Sequence, residues 1–246
     1  DLELHKLFID NNNLTNKKLI AISPAGLKGF YLLGVMSYIK ENYDTSDYIF
    51  SGASAGGFIS LFATYKYNPL DIVDLLDIEN ILLNGDNIND LQKSIKRVLL
   101  DNFSSNDFEL NKLYIGVTTI QNFNVKTNIY FDFIDLEDAI DACIASSNIP
   151  FITGGIFHKY NNAYSFDGGF SKYPFLHIIE PTLHITADIW DEKKSEYNKK
   201  SNYALFNIIN DFTTFFSSEN YNFIDLYKKG YNDTRNNRNR LENILK

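Results

Sequence analysis

The sequence predicts an α/β protein built on a largely parallel sheet with helices on its faces, and three observations carry that expectation. Two consecutive stretches, from Lys18 to Glu41 and from Asp47 to Tyr67, run in the same order: apolar strand, small-residue loop, apolar helix. Repeated units of this order favour a parallel sheet, because each helix returns the chain to the edge where the next strand begins. The third observation is Phe50-Ser51-Gly52-Ala53-Ser54-Ala55-Gly56-Gly57-Phe58, a Gly-x-Ser-x-Gly turn between strand and helix. From the chain's own composition such a pattern is expected by chance roughly 0.05 times at this length, so the turn is more than a small-residue connection.

The elements follow in order. Residues 1–16 read as a short lead-in and a polar loop around Asn11-Asn12-Asn13. Lys18 to Ser23 is a compact apolar run, as expected of a buried parallel strand. Pro24-Ala25-Gly26-Leu27-Lys28-Gly29 leads into a helix in which Phe30, Leu33, Val35, Met36 and Ile39 recur at mixed three- and four-residue steps, the mark of a buried helix. Tyr48 to Phe50 is the second strand and Phe58 to Tyr67 the second helix. Pro69 restarts the chain, with helices over Leu70–Leu76 and Asn89–Leu100 joined by a turn at Asn84-Gly85-Asp86.

Lys112–Thr119 is a strand by its β-branched and aromatic content, paired with Lys126–Phe133 through a turn at Asn122–Asn124. Leu136–Ala145 is a short helix with Asp135 as its N-cap, ending ahead of Pro150. Gly154–Phe166 holds two short strands around Asn161-Asn162 and runs into Asp167-Gly168-Gly169-Phe170. Pro181–Ile189 is a further strand. Lys193–Asn202 is a charged loop, Asn202–Phe216 a helix with an aromatic face, and Arg235–Lys246 a solvated helix end. With no repeat and no internal linker, one domain over residues 1–246 is expected, with a helical C-terminal segment over roughly 202–246.

Composition narrows the function. The chain has 246 residues, 44% hydrophobic and 22% charged, as in an ordinary globular protein with a substantial core. A net charge of −8 argues against nucleic acid as a partner and against simple adhesion to anionic membranes. The single cysteine, Cys143, excludes an internal disulfide and suits a reducing compartment. No run approaches membrane-spanning length and no signal-peptide pattern opens the chain, so an intracellular, cytoplasmic location is expected.

Chemistry is expected at three places. In a strand-to-helix turn of the Gly52-to-Gly56 type, the serine takes a strained conformation in which side chains two residues either side would collide. Glycine fits there, and the turn presents Ser54 as an exposed hydroxyl at a helix N-terminus, where charge is favourably met by N–H groups. A serine hydroxyl needs a base. The histidines are His5, His158, His177 and His184, and none stands in an obvious late catalytic position; His177 and His184 read as hydrogen-bonded structural residues. The alternative base is Asp167, whose paired glycines allow close approach, although an Asp-Gly pair is also an ordinary turn. The Pro24–Gly29 loop heads a helix and so offers unpaired N–H groups of the kind an oxyanion hole requires, although alone it reads equally as a plain connection.

This ordered set resembles the patatin-like phospholipases. Their pattern is a Gly-Gly-Gly-x-Arg/Lys-Gly loop, Gly-x-Ser-x-Gly, an Ala-Ser-x-x-x-Pro segment, and Asp-Gly-Gly/Ala. Here these are Pro24 to Gly29, Gly52 to Gly56, Ala145-Ser146-Ser147-Asn148-Ile149-Pro150, and Asp167-Gly168-Gly169. The resemblance covers roughly residues 18–190 and implies a three-layer α/β sandwich, a Ser54–Asp167 dyad without histidine, and hydrolysis of acyl esters in phospholipids or related lipids at a transiently visited lipid surface. By the same resemblance the oxyanion donors are Gly26 and Leu27, with Ala25 and Ala55 as further candidates, and the supporting positions are Lys28, Gly29, Gly52, Gly56, Gly168 and Gly169. No metal or cofactor is expected, since no His/Cys/Asp cluster has ligand spacing.

Two departures stand out: Pro24 and Ala25 replace the loop's first two glycines, and Pro174 comes one position early after Lys172 where an Asn-x-Pro is usual. Proline has no N–H, and alanine tolerates a positive φ poorly. Loss of one oxyanion donor costs on the order of 3 kcal/mol in the transition state. Lys28 serves either to hold the loop or to meet a lipid phosphate. Two other readings stay open: a lipid-binding or interaction protein with a degenerate site, and a conventional Ser-His-Asp hydrolase using His184.

Overall fold

The computed structural model describes residues 14–76, 88–121, 124–149, 158–170, 174–191 and 222–245. The expected turn at Asn84-Gly85-Asp86, the charged loop and the aromatic helix over 202–216 lie outside these residues. The described elements are β1 (Lys18–Ile22), a 3₁₀ turn (Gly26–Lys28), α1 (Gly29–Asn42), β2 (Tyr48–Gly52), α2 (Ala55–Ala63), α3 (Pro69–Leu76), α4 (Ile88–Asn102), β3 (Leu113–Gln121), β4 (Asn124–Tyr130) and α5 (Leu136–Ser146). They continue with β5 (His158–Tyr160), β6 (Ala163–Phe166), a 3₁₀ turn (Gly168–Phe170), β7 (Leu183–Ile185), α6 (Phe223–Asn236) and α7 (Arg238–Leu245). The fold is the three-layer α/β sandwich expected.

Its sheet runs β5-β6-β3-β2-β1-β7, with β4 also on β3. The four strands β7, β1, β2 and β3 pair in parallel. Every residue of β2 is buried, as a central parallel strand requires. Side chains alternate across the sheet. Ile20, Ile22, Phe50, Leu113 and Ile115 enter the larger core with the helices. Leu19, Ile49 and Tyr114 enter a smaller core with Leu14 and Leu176.

Strand β3 organises one end of the sheet. Ile115 pairs with Gly52 of β2 on one side and with Tyr130 of β4 on the other. Thr118 pairs with Thr127 of β4 and with Phe166 of β6. Strands β2 and β6 therefore share one edge of β3. Because β2 runs parallel to β3 and β6 antiparallel, their C-terminal ends approach each other along that edge from opposite directions.

Helix α1 is buried from Tyr31 to Ile39, more completely than a surface helix would be. Helix α6 explains this by packing across it. A Cβ on Gly34 would lie 2.1 Å from the Tyr227 carbonyl oxygen, and one on Gly230 would lie 2.0 Å from that of Tyr31. Only glycine lets the two helix backbones meet this closely. The side chain of Asn222 caps α6 by accepting the Asp225 N–H, and Tyr31 OH donates to Asp233 across the crossing. The C-terminal residues expected to be a solvated helix end thus belong in part to packed helices, with Leu241 of α7 fully buried.

Several expected bounds shift by a few residues. The strand expected over Pro181–Ile189 pairs only from Leu183 to Ile185, and α2 ends at Ala63 rather than Tyr67. Asp135 does cap α5, accepting the Asp138 N–H at 2.9 Å.

Candidate active site

Ser54 lies between β2 and α2 at φ 56°, ψ −131°, a conformation costly for any residue with a Cβ. The glycines around it make the turn possible. A Cβ on Gly52 would sit 2.2 Å from the Gly56 carbonyl oxygen, and a Cβ on Gly56 would sit 2.4 Å from that of Ile22. The Ser54 carbonyl starts α2 by accepting the Gly57 N–H at 2.9 Å. In one respect the geometry departs from expectation. The hydroxyl predicted to be exposed belongs to a residue only 3% exposed. The turn after β6 packs directly over the elbow: a Cβ on Gly168 would lie 2.5 Å from Ala53 Cβ and from the Gly116 carbonyl oxygen.

Asp167 follows β6 immediately and is fully buried. Its Oδ1 accepts the Gly169 N–H at 2.6 Å, while Oδ2 has no hydrogen-bond partner. The Ser54 hydroxyl is near enough to favour the ionised carboxylate, although Oδ2 carries no completed hydrogen bond. Such contacts are commonly loose without substrate. Burial outweighs both favourable contacts and pushes the Asp167 carboxyl up to about 6. A carboxylate with this affinity is a better proton acceptor at neutral pH than an ordinary aspartate.

The Pro24–Gly29 loop leaves β1 at the same end of the sheet, since Ile22 pairs with Gly52. The positive φ falls on Gly26, at 51°, whereas Ala25 takes φ −146°. The alanine therefore carries no left-handed strain, and that expected penalty does not arise. Gly26 and Leu27 open the 3₁₀ turn, so their N–H groups have no partner within it. Gly29 brings the loop against α2: a Cβ there would lie 2.8 Å from Ala55 Cβ. Ala55 opens α2. Its N–H is likewise free of intrahelical bonding. The side chain of Lys28 is exposed.

The segment after α5 holds both sides of the site. Ser146 Oγ accepts the Ser54 N–H at 2.8 Å and donates to the Gly116 carbonyl at 2.6 Å. The Asn148 carbonyl accepts the Asp167 N–H at 2.7 Å, and Asn148 Nδ2 donates to the Ser165 carbonyl at 2.8 Å. Sequence reading attached no role to either residue, although both lie in the Ala145–Pro150 motif.

His184 lies on β7, where its Nε2 is 2.8 Å from Ser23 Oγ and its ring meets Phe175 edge-on. Its hydrogen-bond partner is thus Ser23, just past the end of β1. Pro174 is buried, while Lys172 falls outside the described residues. Among the described residues no group of His, Cys, Asp and Glu has the arrangement of a metal site, and no helix is long and apolar enough to cross a membrane.

Residues 20–178 match the model of a family described as patatin-like phospholipase. No curated protein matches the chain significantly.

Proposed function

The chain belongs to the patatin-like phospholipase family, and on that premise we propose that it hydrolyses acyl esters of lipids through a Ser54–Asp167 dyad and an acyl-enzyme intermediate. One observation carries the reading: a fully buried carboxylate with an unpaired oxygen lies beside a serine in a strained strand-to-helix turn. An unpaired buried oxygen is costly to folding and useful to a base.

Asp167 takes the Ser54 hydroxyl proton as Oγ attacks the ester carbonyl carbon. The negative charge moves to the carbonyl oxygen, where N–H groups of Gly26 and Leu27, with Ala55 adjacent, meet it. As the tetrahedral intermediate collapses, the carbon–oxygen bond to the alcohol breaks and Asp167 returns its proton to that alcohol. Water then attacks the acyl-enzyme, giving a proton to Asp167. Collapse releases the fatty acid and restores the Ser54 hydroxyl with that proton. No imidazole is required. Substrate is met by transient contact with a lipid surface, and the chain acts as one domain, because α6 and α7 join the core of α1 and the sheet.

The test combines a fluorophosphonate probe with a mixed lipid panel whose products are read by mass spectrometry. Probe uptake at Ser54 and release of fatty acid are expected from the wild type and from neither Ser54→Ala nor Asp167→Asn. Turnover retained by Asp167→Asn removes the dyad. A wild type that binds lipid without labelling points instead to the degenerate-site reading.

A further inference from the structure

Both members of the dyad are held through their main chains by one short stretch, Ser146 to Asn148, at the end of α5. We propose that Ser146 and Asn148 are positioning residues of the reaction, Ser146 for the nucleophile and Asn148 for the base; the inference rests on the Ser54–Asp167 reading above.

The hydrogen-bond directions are fixed by chemistry. The Gly116 carbonyl can only accept, so the one hydrogen of the Ser146 hydroxyl is committed to it and a lone pair faces the Ser54 N–H. Ser146 is fully buried, and no solvent is at hand to replace either bond. Removing the hydroxyl takes this partner from both the Ser54 N–H and the Gly116 carbonyl. The cheapest relief is rotation of Ser54 away from its strained φ and ψ, which carries Oγ off the line to Asp167. The same bond engages the Ser54 N–H, so the oxyanion must draw on the N–H groups of the Pro24–Gly29 loop and of α2.

Asn148 acts on the other partner. Among the described residues Asp167 Oδ1 is anchored at Gly169 N–H while Oδ2 has no completed hydrogen bond, so the side chain is only lightly held. Its placement therefore depends on the main chain, which Asn148 holds at Asp167 N–H and at the Ser165 carbonyl. Ser147 Oγ, donating to the Cys143 carbonyl at 2.9 Å, ties the stretch back to α5.

The experiment measures kcat and KM with p-nitrophenyl butyrate, the rate of fluorophosphonate labelling, and the pH dependence of kcat/KM. Ser146→Ala is expected to lower kcat and the labelling rate together by ten- to a hundredfold, with KM within threefold. Ser146→Thr, which keeps the hydroxyl, is expected to recover to within fivefold of wild type. Asn148→Ala is expected to move the acid limb of kcat/KM downward by half a pH unit or more, as a loosened Asp167 meets water. If Ser146→Ala yields no folded protein, Ser146→Cys, similar in size and weak in hydrogen bonding, is expected to show the same loss. Wild-type kcat in the alanine or cysteine variant, or a loss confined to KM, overturns the role of Ser146. An unmoved acid limb overturns that of Asn148. A wild type that neither turns over nor labels overturns the dyad itself, and this inference with it.

Discussion

At the elbow, Gly52 and Gly56 let β2, the head of α2 and the end of β1 approach so closely that a Cβ on either glycine would strike a carbonyl oxygen. At the crossing of α1 and α6, Gly34 and Gly230 do the same for two helices from opposite ends of the chain. The device is shared and the yield differs. The elbow uses close approach to hold one residue in a conformation it would not choose, whereas the crossing uses it to bury a helix that is otherwise ordinary. The first stores strain at the proposed nucleophile; the second adds packing remote from it. Helix α1 links the two, since its first turn follows directly on the Gly26–Lys28 loop.

Substitutions separate these uses, and the largest effect is expected at the elbow's own serine. Ser54→Ala should lower kcat/KM by about 10⁴-fold or more while Tm stays within a few degrees, as ester hydrolysis and thermal unfolding would show. Gly52→Val should cost more than about 3 kcal/mol and leave little folded protein, because backbone rather than a flexible side chain stands in the way. Gly230→Ala should cost about 2–4 kcal/mol, yet its folded fraction should keep kcat within threefold at low temperature. A tenfold loss of kcat at a temperature where that variant is fully folded would make the crossing part of the site and end the distinction.

Smaller effects sharpen it through pH. The folded Asp167 carboxyl loses its proton at about 6, above the ordinary carboxylate value. Below about 6 the base is occupied, so kcat/KM should fall close to tenfold per pH unit. The stability sign is the reverse of the usual aspartate case. The neutral form suits the buried site, so its contribution is full below the unfolded value near 4 and is lost as pH rises through about 6. Asp167→Asn, inactive in turnover, should therefore unfold at a higher temperature than wild type at pH 8, by a gain on the order of 1–3 kcal/mol, with little difference at pH 4. Equal Tm values at pH 8 would mean that burying this charge costs the fold nothing.

The two glycine pairs also mark what a sequence can reveal. Gly52 and Gly56 flank a serine between a strand and a helix, so four residues of spacing disclosed the turn. The two halves of the proposed dyad were legible as candidates for the same reason, each being a local pattern. Gly34 and Gly230 meet only in the folded molecule, and nothing local to either announces the other. Helix α6 did carry a helical stripe, Phe223, Tyr227, Gly230 and Thr234, but its weak apolarity hid a face aimed at α1. Ser146 and Asn148 were visible as motif letters without a task, because their partners at Ser54, Gly116 and Asp167 are brought in by the sheet. The departure at Ala25 brings no left-handed strain, for a reason only torsions reveal: the left-handed residue is the next one along.

The pairing of Phe166 with Thr118 has a consequence for anyone preparing this protein. Sliding β6 by a single residue would turn its side chains to the opposite face and carry the carboxylate away from the serine. On the proposed dyad, a molecule threaded one step out of phase would be silent. Specific activity in a purified batch is then, on that same proposal, a census of correctly assembled molecules, more discriminating than any measure of size or helix content.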